Sequence, residues 1–353
     1  MLNSEKENEL PNQLFDFLQT KYQIKFIKKL GKGSFGEVYQ ILFNNVYLAI
    51  KLFKNNPNNN REKKIRNEIH FSFYLTGNNI IRTLKTGNTI IDGQKYFFLF
   101  MEKTMFIDLS LFIDNFFNYN ILKIINSTKN FSWIYNFSEE TIRLFTYQII
   151  ESLRFLDNHS VIHFDLKPEN LLLDDNFIIK LSDFSQVSHF NYKQKSISIQ
   201  NGTYCYMSPE FYNEEKEVSI SIGKTLDFFS FGCILYYMIS REDLIKANFY
   251  EGKRIKPTKS EVENYINQGI ENMKKMNYCN ELKELIEKLI NINPEKRPKI
   301  NDLIINVWVN KKYGVVKKIQ DINFKQQFKI IVELQKVSYI MKFPKKRRKY
   351  YID

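Results

Sequence analysis

The sequence predicts an α+β chain in two lobes, a small sheet-rich N-lobe with one main helix and a larger helical C-lobe. Three observations predict it. Apolar and polar residues alternate from Tyr22 to Phe53 around a glycine cluster, the period of strands rather than helices. A strongly apolar run, "KYFFLFME" at 95–102, reads as a further strand. Beyond Glu102 the balance turns to helix, and 353 residues suffice to bury a large core in one two-lobed domain or two smaller ones.

Taken in order, residues 1–21 are polar with mixed charge and read as a short N-terminal arm. The stretch "KFIKKLGKGSFGEVYQILFNNVYLAIKLF" reads as strand, tight loop, strand, turn at Asn44-Asn45, strand. "REKKIRNEIHFSFYL", 61–75, has helical character, and with the 95–102 strand it completes an N-lobe over about 22–102. Ser138 can cap the helix "EETIRLFTYQIIESLRFLDNHS", where Glu139 and Glu140 suit the positive end of the helix dipole. The helical C-lobe runs from about 103 to 309, and 115–137, which has no clear period, reads as an inserted loop. Residues 310–353 form a basic extension, with Phe324, Phe328 and Ile331 at the spacing of a helix packed on the body.

Composition excludes several classes. A hydrophobic fraction of 43% and a mean hydropathy of -0.39 describe a globular chain, not a disordered one. Cys205, Cys233 and Cys279 are odd in number and widely spaced, which argues against a disulfide framework or a zinc site. The longest apolar run, 228–239, is well short of the roughly 18 residues of a membrane span. The start lacks the apolar core of a signal peptide, and Leu2 stands where myristoylation needs glycine, so the expected location is intracellular and unanchored, cytoplasmic or nuclear. The net charge of +13 comes mostly from lysines scattered through Asn- and Ile-rich sequence, and no base-reading motif accompanies it, so nucleic acid is not the expected partner. The exception is "KKRRK", 345–349, which suits an import receptor or an acidic partner, a solvated tail being the plain alternative.

Two clusters carry chemistry. Gly31, Gly33 and Gly36 in "GKGSFGEV" lie between two strands, where glycine lets backbone amides approach phosphate oxygens; a dinucleotide site would need a helix next, and a strand follows instead. That strand ends in "LAIK", which places Lys51 beside the loop, and a pairing with Glu68 on the next helix could hold its ammonium toward the phosphates of a nucleotide. The second cluster, "VIHFDLKPENLLL" at 161–173, sets one His, one Asp, one Lys and one Asn at fixed offsets in an apolar frame. A buried strand needs no such polar set.

In this order the motifs resemble the protein-kinase family over residues 22–309, "HFDLKPEN" being similar to its catalytic loop. The resemblance implies a bilobal kinase fold that uses ATP and Mg2+ to transfer the γ-phosphate to Ser or Thr hydroxyls of protein substrates. It makes Asp165 the catalytic base, Asn170 and Asp183 of "DFS" the magnesium ligands, and Lys167 the group that neutralises charge on the transferred phosphoryl. Lys167 follows the serine/threonine pattern. Thr203, in "NGTYCYMSPE", is placed to contact Asp165 and Lys167 and supports the same specificity. Met101 borders the adenine pocket, Glu102 and Lys103 begin the linker that bonds the adenine edge, Val38, Ala49 and Leu172 sandwich the ring, and Asp108 meets the ribose. Glu210 with Arg297, and Asp227 with the catalytic-loop backbone, are implied structural supports.

Three positions depart from the pattern. Phe164 replaces the arginine that receives an activation-loop phosphate, which argues against that mode of switching. Ser185 replaces the glycine after Asp183-Phe184, with a loss of backbone freedom. Ser72 stands where an apolar residue is usual, with Phe71 or Phe73 available to compensate. These departures are what favour the alternative, a catalytically weak or inactive kinase-fold scaffold that binds nucleotide or a partner protein.

Overall fold

The computed structural model describes residues 10–33, 36–55, 61–105, 107–116, 137–191, 193–200, 202–212, 217–250 and 253–311. They divide into two compact units: residues up to 105 together with 172–187, and residues 107–171 together with 188–311. The expected lobe boundary at 102/103 thus shifts by a few residues, and the segment carrying Asp183 belongs with the first unit.

The first unit is a five-stranded antiparallel sheet of β1 (Lys25–Lys32), β2 (Gly36–Phe43), β3 (Val46–Lys54), β4 (Thr83–Ile91) and β5 (Gln94–Met101) in the order β1-β2-β3-β5-β4. Strand alternation sorts its side chains onto two faces. Ile50, Leu52, Tyr96, Phe98 and Phe100 join one cluster, and Phe53, Phe97 and Leu99 join another with Ile65 of helix α2 (Arg61–Tyr74). Lys51 lies between Ile50 and Leu52 and therefore shares the α2 face. β4 is an edge strand the sequence reading did not find, because "TLKTGNTII" is mostly polar and buries only Thr83.

The N-terminal arm is not an arm from Asn12 onward. Helix α1 (Asn12–Tyr22) buries Leu14 and Leu18 completely against the first of these clusters. The polar composition hid an apolar pair one turn apart, which is enough to dock a short helix on an aromatic sheet face.

In the second unit, helix α3 (Leu109–Phe116) takes up the first residues of the expected inserted loop. Helix α4 (Glu139–Asn158) begins as expected, the Ser138 hydroxyl accepting the Thr141 N–H at 3.3 Å. Helix α5 (Ile220–Ser240) is long and apolar enough to cross a membrane by length and composition, yet 89% of its apolar window is buried in the fold, so it is a core helix. Amphipathic helices α6 (Lys259–Lys274) and α7 (Asn280–Leu289) follow. Residues 117–136, the helix expected at 322–341 and the basic run 345–349 lie outside the described residues.

Candidate active site

The site residues fall into two groups, one on each unit. In the first, the Gly33 N–H, just past β1, donates to the carbonyl of Gly36, the first residue of β2, at 2.8 Å. Gly36 is required by the sheet itself: a Cβ there would sit 2.4 Å from the Leu52 carbonyl oxygen. Around Gly31 and Gly33 a Cβ would meet almost nothing among the described residues, so these two leave open space beside exposed backbone. Val38 pairs with both Gly31 and Lys51, and Ala49 pairs with Met101, which sets small and apolar side chains along β2, β3 and the end of β5. Leu172, half-buried, belongs to the same unit. The Glu102 N–H donates to the Arg82 carbonyl at 3.0 Å, and the Lys103 ammonium meets Asp175 at 2.9 Å.

Lys51 Nζ lies 2.5 Å from Glu68 Oε1 and 3.9 Å from Asp183 Oδ2. Both partners of the closer pair are buried, at 9% and 2% exposure. Burial pushes the Glu68 carboxyl up to about 7, with Lys51 opposing the rise. Burial alone would lower the Lys51 ammonium, but the charges of Asp183 and Glu68 outweigh it and hold it above its ordinary value.

The expected cost of Ser185 is not incurred, since Phe184–Gln186 form a helical turn and the left-handed backbone falls on Asp183 (φ 63°). Its carboxylate accepts the Ser185 N–H at 3.4 Å, the local bonding that makes aspartate tolerant of this conformation. Ser72 is buried on α2 beside buried Phe71, whereas Phe73 is exposed, so of the two phenylalanines only Phe71 is placed to compensate.

On the second unit, Asp165, Lys167 and Thr203 form a closed hydrogen-bonded ring. Thr203 donates its hydroxyl to Asp165 Oδ1 at 2.8 Å and its N–H to the same oxygen at 3.0 Å. The Lys167 ammonium reaches Thr203 Oγ1 at 2.7 Å and Asp165 Oδ2 at 2.8 Å. Asn170 donates its amide to the Asp165 carbonyl at 2.7 Å. Gly202 lets this segment approach, because a Cβ would lie 2.5 Å from the Phe164 carbonyl oxygen. The buried carboxylate of Asp227 accepts the His163 and Phe164 N–H groups at 2.7 and 2.9 Å.

Phe164 itself holds φ at 64°, a conformation that is costly for a bulky residue. Two things keep it there: the Asp227 clasp and a cluster of Ile162, Phe190, Ile197, Met207, Phe211 and Leu226 around its buried ring. An apolar contact stands where the sequence pattern suggested a phosphate contact was lost.

A family model for the protein kinase domain matches residues 24–309. The chain belongs to the protein kinase family. Three Dictyostelium discoideum proteins are similar to this kinase domain. They are the probable serine/threonine-protein kinase nek3 (27% identical, 85% of this chain and 24% of the relative), 3-phosphoinositide-dependent protein kinase B (26%, 83% and 29%) and an Aurora kinase (27%, 80% and 65%). The chain thus spans between about a quarter and two thirds of the length of these relatives.

Sequence reasoning missed the surroundings of two carboxylates. Asp108 caps α3, its Oδ1 accepting the Leu111 N–H at 2.8 Å, and burial pushes its carboxyl up to about 7, with Glu169 and Asp114 adding to the rise. Glu169, in the turn Pro168–Asn170, was not singled out at all; both its oxygens are buried and lack a hydrogen-bond partner among the described residues, and burial raises its carboxyl. The signal available was an acid inside the apolar frame of "LKPENLLL".

A pH dependence follows for Asp108. Its folded value lies above the ordinary 3.8, so the folded state holds an extra proton between about 4 and 7 and loses stability as pH rises through that window. Asp108→Asn keeps a capping oxygen and removes the titration. Its melting temperature should exceed that of the parent by a few degrees at pH 8, with the gap closing at pH 4; thermal unfolding at the two pH values checks this. An equal gap at both would show that folding does not raise the carboxyl above its ordinary value.

Proposed function

We propose that the chain is an ATP- and Mg2+-dependent protein serine/threonine kinase. The observation that carries this reading is the ring of Asp165, Lys167 and Thr203, in which a carboxylate, an ammonium and a hydroxyl-bearing neighbour are held together within 2.8 Å contacts. In it Asp165 takes the proton of the incoming Ser or Thr hydroxyl and aligns its oxygen, while Lys167 balances negative charge on the phosphoryl group in flight. The fit to nucleotide rests on the donor set. Lys51 is kept charged by Asp183 and Glu68, and Gly31 and Gly33 leave open space beside backbone among the described residues. Asp183 on the first unit and the Asn170 side-chain amide oxygen on the second are each hard oxygen donors of the kind Mg2+ takes, and Mg2+ keeps few protein ligands, completing its shell with phosphate and water. When bound, the ion would neutralise charge on the β- and γ-phosphates.

The test is incubation with radiolabelled ATP and a panel of generic protein substrates, run beside Asp165→Asn. Label should appear as phosphoserine or phosphothreonine and be lost in the variant. Predominant phosphotyrosine would refute the specificity, and equal labelling by Asp165→Asn would refute the assignment of the base.

A further inference from the structure

Strand Ser196–Ser198 pairs antiparallel with Glu217–Ser219, in the register Ser196↔Ser219, Ile197↔Val218 and Ser198↔Glu217. Alternation turns Ile197 inward, into the cluster that surrounds Phe164, and leaves both serines exposed. Both hydroxyls then serve one carboxylate: Ser196 Oγ donates to Glu217 Oε2 at 2.9 Å, and Ser198 Oγ donates to Glu217 Oε1 at 3.4 Å. The anion that fastens this segment is therefore already part of the chain, and its partners are neutral donors.

From this arrangement we infer that Ser196 is an inhibitory phosphorylation site, with the opposite sign to a phosphate that orders a segment by meeting arginine. The step is ordinary phosphoryl transfer from ATP. Ser196 Oγ bonds to the γ-phosphorus as the bond from that phosphorus to the β,γ-bridging oxygen breaks, ADP leaves with the electron pair, and the hydroxyl proton passes to the acting kinase's base and on to solvent. The product carries about -1.5 to -2 charges at neutral pH and no longer has a hydroxyl to donate. It stays one bond from the oxygen that now touches Glu217, so a donor–acceptor contact becomes a contact between two anions. Among the described residues the lysines at hand are Lys195, which lines the same cleft as Glu217, and Lys193, two residues before it in sequence. Both are exposed and would have to fix a long flexible stem to meet the phosphate, whereas Glu217 already stands 2.9 Å from Ser196 Oγ. The strand pair opens, Ile197 leaves its cluster, and the packing that holds Phe164 in its left-handed conformation weakens. The effect on turnover rests on the proposed kinase reading; the effect on the strand pair does not.

The test uses the full chain with phosphoserine placed at 196 during translation, beside unmodified protein, each also carrying Glu217→Gln. Amide hydrogen exchange at 193–200 and 217–219 should accelerate about tenfold or more on phosphorylation, as expected for local opening. Turnover on a generic substrate should fall by about tenfold, and Glu217→Gln should return most of it, since a neutral amide can face a phosphate. Unchanged or slowed exchange, the result if Lys193 and Lys195 capture the phosphate, would overturn the proposal, as would a rise in turnover. A chain that transfers no phosphate in any form would sink the kinase reading alone, and exchange would still decide this one.

Discussion

Lys51→Met and Asp183→Asn should each lower phosphoryl transfer by about 10²–10³-fold, the usual cost of removing one preorganised charge from a phosphate site. The two variants differ in what else they disturb. Asp183→Asn keeps an oxygen for the Ser185 N–H and changes little besides charge. Lys51→Met keeps the packing of the stem but strands Glu68, 2% exposed and already raised to about 7, without its partner. Glu68 then takes up a proton at neutral pH, so the fold survives at some loss of stability. Kinetics together with thermal unfolding separate the two effects. Full activity in a folded Lys51→Met protein would remove Lys51 from the chemistry.

Arg297→Met should destabilise the second unit by about 3–5 kcal/mol, a large share of the roughly 5–15 kcal/mol that holds a domain together. Arg297 meets Glu210 through two bonds of 2.8 and 3.0 Å and gives its Nε hydrogen to the Asn291 carbonyl at 2.9 Å. Its side chain has no exposed surface and that of Glu210 has 8%, so the single change leaves a buried carboxylate without its ion-pair partner among the described residues. The Glu210→Met, Arg297→Met double variant removes both charges and should recover most of the loss. Urea unfolding midpoints of the three proteins check this, and a double variant no better than the single one would show that the pair itself, not the orphaned charge, sets the cost.

How much of this could be read beforehand varies with the range of the interaction. The alternation of β3 put Lys51 on the face shared with α2, so the pairing with Glu68 was legible from the period of two and the helix that follows. The ring of Asp165, Lys167 and Thr203 was legible from motif order, although Thr203 is 38 residues from Asp165. What holds Phe164 was not, since its neighbours come from 190, 197, 207 and 211, and no local pattern announces that they converge. Nor could the cost assigned to Ser185 be judged from sequence, because it depends on which residue of "DFS" takes the positive φ. Helix α1 was missed for a simpler reason: Leu14 and Leu18 have meaning only with the aromatic sheet face opposite them.

That helix sets where the kinase domain can be cut. Similarity to the family starts at residue 24, yet a fragment begun there would discard Leu14 and Leu18 and present Ile41, Ile50, Tyr96, Phe98 and Phe100 to water as one contiguous apolar surface. Such surfaces self-associate. The transferable unit, for expression or for grafting onto another protein, therefore begins ahead of α1, and the boundary drawn by family resemblance falls inside the domain's own core.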